Sequence, residues 1–150
     1  MKNLYEAATA KEIRERIARL GPGNQRQWGK MSAAQAMAHC STVMEWAVGD
    51  KTEPRMFLGR IFGPIVKSKA LKDEAPMPRN APTAKSLVVK AEHDLGKECA
   101  RLSALVERFA SAGPQACTKN PHTFFGKLTP EEWSQLMYKH LDHHLRQFAA

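Results

Sequence analysis

Residues 129–148 constrain the fold of this chain more than any other segment. Thr129-Pro130-Glu131-Glu132 combines an N-cap threonine, a proline at the first helical position and a capping-box glutamate. This start predicts a helix that runs to about Phe148. Its inward stripe mixes apolar side chains with two histidines, namely Trp133, Leu136, Met137, His140, Leu141, His144 and Phe148. Any fold of the chain must therefore accommodate two imidazoles in an otherwise apolar stripe.

Three earlier segments also have helical patterns. A capping box at residues 9–12 predicts a first helix, which ends before the Gly-Pro-Gly run at 21–23. A second capping box at residues 32–35 opens a helix rich in alanine and methionine. Asp94 is the expected cap of a third helix, whose apolar residues recur at three- and four-residue steps up to Gly113. With the C-terminal segment, the chain has four predicted helices.

The segment between the second and third predicted helices has a different composition. Residues 55–90 contain eight basic residues against the two acids Asp73 and Glu74, together with several prolines. Because proline interrupts helices, we expect a long irregular crossover here. We expect Phe57 and Phe62 to pin this crossover to the helices.

These elements predict an all-α fold, a four-helix bundle with a long crossover between helices two and three. The only strand signal is a short β-branched stretch at residues 87–89. The length of 150 residues fits one domain, residues 1–150.

The composition indicates a cytoplasmic protein that does not span a membrane. No apolar stretch approaches the roughly 18 residues that cross a bilayer, and the N-terminus lacks the apolar core of a signal peptide. The three cysteines, Cys40, Cys99 and Cys117, show no C-x-x-C spacing, which argues against a disulfide framework or a zinc knuckle.

The histidine pair in the last helix is a candidate metal site. Side chains at i and i+4 lie roughly 6 Å apart on one face, so His140 and His144 can reach one ion at about 2.0–2.1 Å. A third ligand is normally needed, and His39 is the only histidine inside another predicted helix. The alternatives are that the pair is simply hydrogen-bonded or solvated, or that a rotated helix presents His143 in place of His144.

Four blocks of sequence carry a resemblance to a known family. They are WGKMSAAQAMAH at 28–39, PRNAPT at 78–83, HTFFGKLT at 122–129, and 133–148, which ends in HLDHHLRQF. In order and spacing they resemble a family of unknown function within the DinB/YfiT-like superfamily. The resemblance implies a four-helix bundle that holds a divalent metal through one histidine of helix two and a His-x-x-x-His pair of helix four. Carried over, these ligands are His39, His140 and His144.

The resemblance also implies a class of activity. Some members of the superfamily are thiol transferases, so we expect a metal-dependent transferase that joins a low-molecular-weight thiol to an electrophile, with a hydrolase as a close relative. We expect zinc or nickel as the divalent ion, because imidazole ligands suit both. Relatives also make a homodimer plausible. No residue has the spacing of a general base, so no catalytic residue is assigned.

The alternative is a binding module without catalysis. In this hypothesis the basic segment 55–90 contacts nucleic acid or another anionic partner, in keeping with the net charge of +8. The segment lacks a series of stacking aromatics, and no helix-turn-helix pattern is visible, so we rank nucleic-acid binding below the enzyme.

Overall fold

The computed structural model describes residues 1–81 and 84–150, and within these ranges the chain is all-helical. It has five α-helices: α1 (Ala7–Ala18), α2 (Ala33–Ala47), α3 (Phe57–Ala70), α4 (Leu95–Ala112) and α5 (Pro130–Gln147). No β-strand occurs in the described ranges, and the expected strand signal adjoins a 3-10 turn at Lys85–Leu87 instead. The all-α prediction is thereby confirmed. Pro82 and Thr83, which end the second sequence block, lie outside the described residues.

Three of the four predicted helix starts are found where local sequence placed them. The Ser32 and Thr129 side chains accept from the backbone N–H groups three residues on, and both capping boxes are complete. Asp94 likewise accepts from the N–H of Lys97. The start of α1 is different, because the helix begins at Ala7 and the Thr9 hydroxyl, already inside it, donates to the Glu6 carboxylate.

Four of the helices share one apolar core. α1 packs against α4 and α5, and α2 packs against the same two helices. Fully burying a large apolar side chain contributes about 1.5–3 kcal/mol relative to leaving it exposed. The largest fully buried side chains come from all four helices and from the N-terminal segment: Leu4, Ile13, Ile17, Met37, Met44, Leu102, Val106, Trp133, Met137, Leu141, Leu145 and Phe148.

The segment between α2 and α4 is more regular than the sequence predicts. The expected irregular crossover contains the 14-residue helix α3, with Pro64 inside it. The prolines of this region lie mostly after residue 75, so only Pro64 falls within the helical span. One proline removes a single N–H donor, and the rest of the segment still forms helix.

Glycines, not aromatics, attach α3 to the rest of the molecule. A Cβ on Gly59 or Gly63 would lie 2.6 or 2.3 Å from the carbonyl oxygen of Phe124. Phe57 and Phe62, expected as anchors, are instead 74% and 50% exposed. The close approach of two backbones requires glycine here, and it leaves the apolar face of α3 on the surface.

No helix within residues 1–81 and 84–150 is both long enough and apolar enough to cross a membrane.

The glycine contact gives a test of how α3 is held. We expect Gly63→Ala to lower the free energy of unfolding by about 1–3 kcal/mol, as overpacking does, because the new methyl group meets the Phe124 carbonyl oxygen. Urea unfolding measures this change. Gly23→Ala is the control, since a Cβ there meets nothing within 4 Å. A Gly63→Ala protein as stable as the wild type would contradict the packing described.

Candidate metal centre

Three histidines from two helices meet where α2 packs against α5. His39 projects from α2, and His140 and His144 project from successive turns of α5. The Nε2 atoms of His39 and His140 are 2.9 Å apart, and one ring nitrogen from each of the three residues lies within 4.8 Å of the other two. The three residues singled out from the sequence are therefore brought together, and together they could hold a metal ion.

The outer nitrogen of His39 is fixed by the segment that precedes α4. Its Nδ1 lies 3.1 Å from the carbonyl oxygen of Leu87, which can only accept a hydrogen bond. The proton is therefore assigned to Nδ1, and the lone pair of Nε2 faces the other two histidines. Such an outer hydrogen bond orients a metal-binding imidazole and sets its tautomer.

The outer nitrogen of His144 is fixed by a relay through Gln147. The Nδ1 atom of His144 lies 2.9 Å from Oε1 of Gln147, and Nε2 of Gln147 donates to the Trp28 carbonyl at 2.8 Å. With its Nε2 committed to that carbonyl, the Gln147 amide presents its oxygen to His144. The relay therefore protonates Nδ1 and leaves the His144 Nε2 lone pair for the cluster.

Gly29 makes room for this relay. It has a φ of +77°, in the left-handed region, and a Cβ there would lie 2.6 Å from the Gln147 amide nitrogen. Both the backbone conformation and the close approach require glycine. The sequence does carry a signal for the Gln147 contact, because Gln147 follows His144 by three residues and so lies on the same helix face.

Burial keeps the three rings neutral. It lowers the pKa of His39, and it lowers the pKa of His144 to about 3, in both cases as the main cause. Burial and then the neighbouring His144 and His39 hold the pKa of His140 well below its usual range. Neutral imidazoles are the form that binds a metal, so no proton has to leave a charged ring at neutral pH.

Three other residues of α2 and α5, namely His143, Cys40 and Asp142, lie outside the group of three histidines. The ring centroid of His143 lies 5.4 Å from that of Trp28. Cys40 is buried, and burial raises the pKa of its thiol, so it stays a neutral core side chain. Asp142 is paired with Arg16 and Arg146, at 2.7 and 2.8 Å.

His122 has a structural position outside the group of three histidines. Its Nδ1 accepts from the backbone N–H groups of Phe124 and Phe125, and its ring packs against Trp46 and Trp133. Burial lowers its pKa to about 4. His122 therefore shapes the turn against which α3 packs.

An all-helical fold in which three neutral imidazoles converge between two helices defines a candidate metal-binding helical protein. The chain belongs to the family described as protein of unknown function (DUF1569), whose model matches residues 3–150. Comparison with curated proteins and with solved structures finds no match.

The relay through Gln147 gives a test that leaves all three histidines intact. We expect Gln147→Ala to weaken zinc binding about 10–100-fold, the usual effect of losing an outer hydrogen-bond partner. Competition with a chromophoric chelator measures the affinity. Gln135→Ala is the matched control, because Gln135 lies on the same helix and bonds only to Glu131. Equal affinities in the two variants would contradict the assigned role of Gln147.

Proposed function

We propose that this chain is a divalent-metal protein of the DinB/YfiT-like type, in which His39, His140 and His144 hold zinc or nickel. The observation that carries the proposal is the convergence of three imidazoles, two of them with their outer nitrogens already fixed by acceptors. A chance cluster of surface histidines would not need acceptors drawn from two separate parts of the chain.

The proposal includes a four-helix bundle made of α1, α2, α4 and α5. It is supported by the packing of α1 and α2 against both α4 and α5 around one core. In this arrangement α3 belongs to the crossover. Bundles of this class place their metal ligands on facing helices, as α2 and α5 do here.

The donor set suits a borderline divalent ion. Three neutral imidazole nitrogens, without thiolate or carboxylate, are typical ligands for zinc and for nickel. In the described ranges no other group of histidine, cysteine or acidic side chains has a comparable arrangement. Three protein ligands also leave at least one coordination position to a small molecule.

The proposed reaction is the transfer of a low-molecular-weight thiol to an electrophile, with water as the alternative nucleophile. When bound, the ion would supply Lewis acidity, which lowers the pKa of a thiol or of water. The protein's part is to exclude water with the α2–α5 core and to keep the imidazoles neutral and oriented. Glu45 of α2 and Asp142 of α5 are both paired with basic side chains, since Arg101 binds Glu45 and two arginines bind Asp142. We therefore assign no general base.

Metal content tests the ligand set. We expect protein loaded with one equivalent of zinc and then desalted to retain it in the wild type, and to lose most of it when His39, His140 or His144 is replaced by Ala. Two remaining imidazoles bind zinc too weakly to survive desalting. Elemental analysis gives the metal-to-protein ratio.

His143→Ala is the control for this experiment. It removes a histidine from the same helix whose ring lies 5.1 Å from that of His144 but outside the cluster. Full zinc retention in His140→Ala, or loss of zinc in His143→Ala, would refute the ligand assignment.

The activity is tested with simple probes. We expect zinc-loaded or nickel-loaded protein to accelerate the loss of free thiol from a mixture of cysteine or glutathione with a chloronitrobenzene, at least tenfold over His140→Ala treated in the same way. Release of nitrophenol from an ester probe distinguishes a hydrolase. Loaded wild-type protein that is no faster than the variant in either assay would contradict an enzymatic role while leaving the metal site intact.

The alternative function remains a binding module without catalysis. It is supported by the basic residues of the 55–90 segment and by the exposed apolar face of α3. Lys67 is already paired with Glu132 at 2.8 Å, and apolar side chains dominate the exposed face, an arrangement that fits a protein surface or a second copy better than nucleic acid. Salt-dependent binding of a duplex oligonucleotide would favour nucleic acid, whereas a dimer in sedimentation experiments would favour self-association.

A further inference from the structure

A second site lies beside the histidine cluster. A surface cavity of about 350 Å³ opens between the loop before α2, the segment after α3 and the end of α5. Its size is within the range of small-molecule sites. Trp28, Met77, Arg79, His143 and Arg146 are among the residues that line it.

The charged side chains that line the cavity, Arg79 and Arg146, are both positive. Two guanidinium groups line it, and none of its lining residues carries a carboxylate. Asp142, which does not line the cavity, pairs with Arg146, and the same carboxylate also pairs with Arg16. Arg16 also lies 3.9 Å from Glu12, which pairs with Lys2, so this network has three positive charges against two carboxylates and an excess of positive charge remains.

Arg79 is held in a position that suits an anion. Its guanidinium carbon lies 4.2 Å from the centroid of the Trp28 ring, which is a cation–π contact. Stacking occupies only the flat face of the group and leaves its N–H donors in the plane, where they can form paired bonds to a carboxylate or a phosphate. Arg146 contacts Asp142 with its Nε at 2.8 Å, and its side chain also lines the cavity.

The other walls of the cavity are apolar. Trp28, Pro76, Met77 and Ala149 surround the charged groups. This combination fits a small molecule with an anionic group at one end and an apolar or aromatic body at the other, because the body removes water from the pairing while the guanidiniums fix the orientation.

We propose that this cavity binds the carboxylate or phosphate group of a small organic molecule through Arg79 and Arg146, with Trp28 as the stacking wall. The cavity also adjoins the histidine cluster. His143 lines it and its ring lies 5.1 Å from that of His144, while the Trp28 carbonyl ends the relay that orients His144. The further step, that the cavity holds the anionic end of the substrate of the metal centre, rests on the proposed function.

The test uses three small aromatic probes on the 150-residue chain. Benzoate, phenyl phosphate and neutral benzamide are titrated while the indole N–H resonance of Trp28 is followed by NMR. Because a carboxylate also coordinates zinc, each titration is done on metal-free and on zinc-loaded protein. We expect saturable shifts with benzoate or phenyl phosphate, with a dissociation constant at least tenfold lower than that of benzamide. The anion with the lower dissociation constant identifies the group that the cavity prefers. Equal binding of benzamide would overturn the proposal.

Variants test anion binding in the cavity and zinc binding at the histidines independently. We expect Arg79→Gln to weaken anion binding at least tenfold and to retain zinc as the wild type does, whereas Lys119→Gln, which removes the same charge outside the cavity, changes neither. Arg79→Lys, which keeps the charge but loses the planar donors, should bind more weakly than the wild type. Unchanged anion binding in Arg79→Gln would refute the cavity proposal, whereas loss of zinc from the histidine variants does not bear on it. In His140→Ala, retained anion binding supports an independent subsite, and its loss would contradict one.

Discussion

The buried imidazoles between α2 and α5 impose the constraint on which the surrounding structure depends. A polar ring that leaves water must find partners within the protein, or its burial is costly. His39 finds the Leu87 carbonyl, and His144 finds Gln147. These bonds tie the segment before α4 and the loop before α2 to the helix interface. The loops around the cluster are thus held in place by the hydrogen-bonding needs of the rings they surround.

The same constraint explains why the cluster has the chemistry of a metal site. Burial disfavours protonated rings, and three neighbouring positive charges would repel one another. The outer N–H groups of His39 and His144 are already bonded, which turns the Nε2 lone pairs of these two rings toward the cluster, where His39 Nε2 lies 2.9 Å from His140 Nε2. A divalent cation satisfies all three lone pairs at once, which no single proton can do.

Local signals made much of this architecture predictable. Capping boxes at Ser32 and Thr129 located α2 and α5, and the i, i+4 spacing placed His140 and His144 on one face, because these rules need only neighbouring residues. The tertiary contacts lay beyond such rules. No local pattern says that Leu87 will meet His39. The prolines of the 55–90 segment predict an irregular crossover, but only Pro64 falls within α3, and a single proline does not prevent the helix. The bundle topology and the ligation itself stay predictions.

The central claim is that three imidazoles from α2 and α5 bind one divalent ion. Zinc K-edge X-ray absorption of the protein loaded with one equivalent of zinc tests it most directly, because it counts ligand atoms by type. The account predicts three imidazole nitrogens at about 2.0–2.1 Å, completed by light atoms from small molecules. A sulfur shell near 2.3 Å, the zinc–thiolate distance, or a spectrum with one imidazole or none, would contradict it.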